Sequence, residues 1–63
     1  MAEAGNPLRT LRHDLSNPLA ALLAETQLLL LRAEGYDQET VTSLKQIESL
    51  ARKMRQILET VGR

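Results

Sequence analysis

The chain contains no cysteine, which excludes disulfides and thiolate metal sites and is compatible with a reduced, cytoplasmic setting. Its single histidine is too little for a histidine-based metal site without clustered carboxylates, and none are clustered for it. There is no net charge, 8 basic residues standing against 8 acidic ones. That balance argues against a surface built to hold nucleic-acid phosphates or anionic lipid. Long apolar runs are missing too. The longest is Leu28 to Leu31, where a membrane span needs about 20 residues. The polar start from Met1 to Gly5 lacks the basic and apolar regions of a signal peptide. Neither nucleic acid nor membrane is therefore expected to contact this segment. At 63 residues one small domain is the ceiling, because a nucleotide pocket beside its own core would need a longer chain.

What is present is helical periodicity. At roughly 100° per residue, Leu8, Leu11, Leu15, Leu19, Leu22, Thr26, Leu29 and Leu30 form one apolar stripe. Asn6-Pro7 opens this helix, an amide able to cap it and a proline tolerated at its first position. Residues 1–6 are expected to be disordered or a linker remnant. Pro18 falls inside the pattern, yet the stripe keeps its phase beyond it, so a kink is expected and not a break. Gly35 is the expected left-handed closing residue, and Asp37 the next N-cap, with Glu39 in the first turn. The second helix carries Val41, Leu44, Ile47, Leu50, Met54, Ile57 and Val61 at coiled-coil spacing, with Glu48 and Arg52 as an i,i+4 pair.

The expected fold is all-α: a first helix over 7–33, a turn over 34–37 and a second helix over 38–61. So short a link makes an antiparallel two-helix hairpin. A lone hairpin covers only part of its apolar surface, so two copies are expected to pair into a four-helix bundle. Leu23 and the surplus of the four-leucine run suit a bundle in which each helix meets two neighbours; part of that surplus could instead be a docking surface. Counted back from the turn, His13 comes level with Ile57 and Leu58, with Arg52, Lys53 and Arg55 within a turn or two.

One stretch carries chemistry: His13-Asp14-Leu15-Ser16-Asn17-Pro18. On the helical wheel His13 lies about 160° from the centre of the leucine stripe, with Asn17 on the same outward side. A solvent-facing imidazole is largely neutral at pH 7 and offers a ring nitrogen as nucleophile, which suits phosphoryl transfer. Asp14 could hold one ring N–H and so fix the tautomer. Asn17 could orient a water or a phosphoryl oxygen without adding charge.

These residues resemble the H-box of sensor histidine kinases: His, then Asp or Glu, two variable positions, Thr or Asn, then Pro. With two amphipathic helices and a tight turn, the resemblance extends from about Leu8 to Val61, to the dimerisation and histidine-phosphotransfer domain of that family. It implies that His13 accepts the γ-phosphoryl group of ATP and passes it to an aspartate on the receiver domain of a response regulator. Asp14 would be the general base, Asn17 the residue that positions the water for phosphatase activity, and Pro18 the helix-bending proline. Ser16 departs from the family, standing where many members carry Arg or Lys. No cofactor is expected in this segment, since ATP and magnesium would sit on a catalytic domain absent from it. The segment alone is expected to be inactive as a kinase, although it would serve one as part of a phosphotransferase. The resemblance also implies a homodimer in the cytoplasm, whether or not the full-length kinase is anchored in a membrane. Two other readings remain, a stand-alone phosphotransfer or scaffold protein without kinase activity, and a purely structural hairpin.

Overall fold

The computed structural model describes residues 7–61. Helix α1 spans Pro7–Leu30 and helix α2 spans Gln38–Thr60, joined by a short 3-10 turn at Ala33–Gly35. The two helices lie against each other as a hairpin with no strand among the described residues. The result is a rod of 51 × 15 × 11 Å, one helix pair thick. Neither helix is long and apolar enough to cross a membrane. The expected residues 1–6, the Asn6 cap and Gly62 lie outside the described residues.

Pro7 is the first residue of α1, where a missing N–H removes no helical bond. The helix then runs unbroken through Pro18, since the leucines and alanines around it favour helix. It stops at Leu30 and not at 33. The reason is a tightening of the last turn. The Leu31 N–H still reaches the Gln27 carbonyl at 3.1 Å, but the Arg32 N–H steps to Leu29 at 3.0 Å, and Gly35 and Tyr36 continue that three-residue spacing. Tyr36 is then extended, with φ −112° and ψ 154°. These bonds satisfy the last carbonyls without a left-handed residue. Gly35 accordingly does not take the left-handed conformation expected of it, and a Cβ there would meet nothing within 4 Å.

At the start of α2, the Thr40 N–H donates to the Asp37 carboxylate at 2.8 Å. That bond caps the helix and holds the Asp37 carboxyl below its ordinary pKa.

The single apolar stripe expected on each helix resolves into two adjacent ones. The seam between the helices uses Arg12, Ser16, Leu19, Leu23, Thr26 and Leu30 on α1 against Val41, Leu44, Glu48, Ala51 and Leu58 on α2, all buried or half-buried. Its centre is Leu19, Leu23 and Ala51, with Leu58 packed on them. Ala51, 2 % exposed, has the small side chain that lets the backbones approach. Thr26 sits in this core because its hydroxyl donates to the Leu22 carbonyl at 2.8 Å, so no polar atom is stranded.

The second stripe is turned by roughly a fifth of a revolution on each helix and faces away from the seam. It comprises Leu8, Leu11, Leu15, Leu22 and Leu29 on α1 with Ile47, Leu50, Met54 and Ile57 on α2, each 41–57 % exposed. Between the helices on this side runs a groove of about 370 Å³ lined by Leu15, Pro18, Leu19, Leu22, Met54, Ile57 and Leu58. Most of the large aliphatic surface of the hairpin is therefore outside its own core.

Candidate functional site

His13 stands in the second turn of α1, near the open end of the hairpin, and its side chain is 79 % exposed. The helical spacing that puts Leu15, Leu19 and Leu22 toward α2 and the groove turns residue 13 to the opposite side. Asp14 is exposed as well, its Oδ1 lying 3.9 Å from His13 Nδ1. That distance is too long for a hydrogen bond. Neighbours in a helix diverge by about 100°, so a small rotamer change must bring the carboxylate onto the ring nitrogen. Asn17 is exposed one turn further on the same outward side. The structure thus gathers His13, Asp14 and Asn17 on one open flank.

Two other residues of the stretch point elsewhere. Ser16 is half-buried on the seam, and its hydroxyl donates to the Arg12 carbonyl at 2.7 Å. Pro18 lines the apolar groove, where its ring presents apolar surface and offers no N–H to the Asp14 carbonyl.

Arg12 has a role that sequence reading missed. Its guanidinium donates to the Val61 carbonyl at 3.2 Å across 49 residues, placing a positive charge at the carbonyl end of α2 where the helix dipole favours it. Seam spacing alone marked an apolar position there, and nothing local announced the bond. Arg12 opposite Val61 and Gln27 opposite Glu48 also fix the register of the hairpin. His13 comes level with Thr60 and Val61, about one turn past the expected Ile57 and Leu58. Arg52, Lys53 and Arg55 consequently sit opposite the region of Ala20 to Leu23, well below the imidazole.

Arg52 is further tied by its bond to Glu48 at 3.2 Å, and the same Glu48 oxygen accepts from Gln27 at 3.3 Å. The Arg52 bond first, and the Gln27 bond second, hold the Glu48 carboxyl below its ordinary pKa. With Asp37 also lowered, the folded chain binds these protons less readily than the unfolded chain does. Stability is therefore fully present above the unfolded values and falls as acid is added, from about pH 5 downward. A Glu48→Gln chain is expected to show a shallower decline in melting temperature between about pH 5 and 3. An unchanged slope would mean that the network does not feel folding.

The residues described do not fit a magnesium–nucleotide complex. Among them no three His, Cys, Asp or Glu side chains gather to hold a metal ion, and the larger groove is aliphatic. What the flank offers is an accessible ring nitrogen, a carboxylate beside it and an uncharged amide one turn away.

Compared with known proteins, the chain matches the His Kinase A (phospho-acceptor) domain over residues 5–61. No curated protein and no solved structure matches it.

Proposed function

Because the chain belongs to the His Kinase A (phospho-acceptor) domain family, we propose that it is the phosphoacceptor and dimerisation module of a two-component sensor kinase, with His13 as the acceptor. The γ-phosphoryl group of ATP, held with magnesium on a separate catalytic domain, is transferred to a ring nitrogen of His13. From there it passes to an aspartate on a response-regulator receiver domain. Asp14 takes up the ring N–H so that the other nitrogen presents its lone pair. Asn17 orients the water that hydrolyses the phosphorylated regulator. Pro18 lets α1 flex. The setting is cytoplasmic.

The observation that carries this reading is the opposition of two faces. The half-exposed leucine stripe and groove lie on one side of α1, and His13 with Asn17 lies on the other. A second copy laid on the stripe completes a four-helix bundle and leaves both histidines open to a donor and to a receiver.

The test begins with phosphoramidate, whose P–N bond breaks as the imidazole lone pair forms a new one, with ammonia leaving. The expected product is an acid-labile, alkali-stable phosphate mapped to His13, which then moves to a receiver-domain aspartate. A phosphohistidine that receiver domains discharge no faster than buffer does would defeat the proposal.

A further inference from the structure

A phosphoryl group on His13 brings about two negative charges to a flank that already carries the Asp14 carboxylate. Something positive must lie within reach for that state to be held in a defined pose. The cations of α2 are poorly placed for it, since the register puts Arg52, Lys53 and Arg55 well below the imidazole and Arg52 is bound to Glu48. Ser16 is neutral, half-buried and committed to the Arg12 carbonyl. Arg12 itself is drawn toward the seam by its bond to Val61. Glu59, the acid of α2 nearest that level, adds only like charge.

One turn before His13 stands Arg9, exposed and on the same outward flank. Residues four apart on a helix have their Cβ atoms about 5–6 Å from each other. Helical side chains also lean back toward the N-terminus, so a residue covers the turn preceding its own Cα. The imidazole of His13 therefore lies over the turn that bears Arg9. A guanidinium at that distance matches phosphoryl oxygens in fork geometry, which a point charge does not.

Building on His13 as acceptor, we infer that Arg9 is the residue that positions the phosphoryl group there, supplying from the preceding turn the cation that Ser16 does not. It acts on the bound phosphoryl oxygens and not on the imidazole.

The experiment uses the whole chain, phosphoramidate as donor and phosphorus NMR as readout, with Arg9→Gln, Arg9→Lys and, as a control lower on the rod, Arg55→Gln. Helical circular dichroism establishes that each variant folds. A unit charge at about 6 Å in water shifts a phosphoryl titration by roughly half a pH unit. The Arg9→Gln chain should accordingly titrate about half a unit higher than the parent and accept phosphate about threefold more slowly. Arg9→Lys should recover part of both effects, and Arg55→Gln should match the parent. The difference should collapse at about 1 M salt, where the Debye length is about 3 Å, which a structural role would not produce. Phosphate on His13 with the same titration and rate in Arg9→Gln would overturn the role of Arg9 alone. No phosphate on His13 in the parent chain would overturn the acceptor reading beneath it.

Discussion

A chain carrying Leu22→Glu and Met54→Glu is expected to sediment as a monomer and to lose most of its helical circular dichroism at micromolar concentration. Leu22 and Met54 are 47 % and 50 % exposed in the single hairpin, and both line the groove between the helices. Within one copy their charged replacements would simply face water. In a bundle they would bury carboxylates against leucines, a cost of several kcal/mol per ion. The effect reaches the fold because the hairpin has so small a core of its own: Leu19, Leu23 and Ala51, with Thr26 beside them. A helix pair of this size is marginal without a staple or a second copy. The nine half-exposed aliphatic side chains of the second stripe offer on the order of 800 Å² per copy, the area of a standard stable interface. The matched control is Leu28→Glu together with Leu31→Glu. These leucines are also exposed but lie off the stripe, so that chain should remain a helical dimer. A stripe variant that stays dimeric and helical would show that the groove is not where two copies meet.

How much of this was legible in the sequence depends on which forces set each feature. The two helices and their antiparallel course follow from local signals. Pro7 and the Asp37 cap mark where helices start, and the link is short. The division of the apolar surface into two stripes was not legible in the same way. Leucines at both sets of positions look alike on a wheel, and the seam is chosen by the close approach that Ala51 permits, a property of the pair of helices. Alanine carries little weight in a periodicity argument, so the best-buried residue of the chain went unremarked. The end of α1 was misplaced because three-residue hydrogen bonds closed the helix where a left-handed glycine was expected. Of the site, the outward direction of His13 and Asn17 followed from spacing alone. Its level did not, because register depends on long-range partners such as Arg12 and Val61 that no local pattern couples.

The other large effect concerns the nucleophile itself. A His13→Gln chain treated with phosphoramidate is expected to carry no acid-labile phosphate while melting and sedimenting like the parent. Glutamine keeps helix propensity close to that of its neighbours, and its amide nitrogen has no available lone pair. Since His13 makes no hydrogen bond to Asp14 at 3.9 Å and is 79 % exposed, nothing in the fold rests on the imidazole. This separation is what makes the variant informative, because loss of phosphate cannot then be blamed on loss of structure. The chemistry of the bond sharpens it further. Phosphate on nitrogen is acid-labile and alkali-stable, phosphate esters of serine or threonine survive acid, and acyl phosphates fail in both. An acid-stable label would therefore point to a hydroxyl such as Ser16 or Thr10. A label sensitive to both acid and alkali would point to a carboxylate such as Asp14. An acid-labile, alkali-stable phosphate in the variant would refute His13 as acceptor, because the chain has no second histidine.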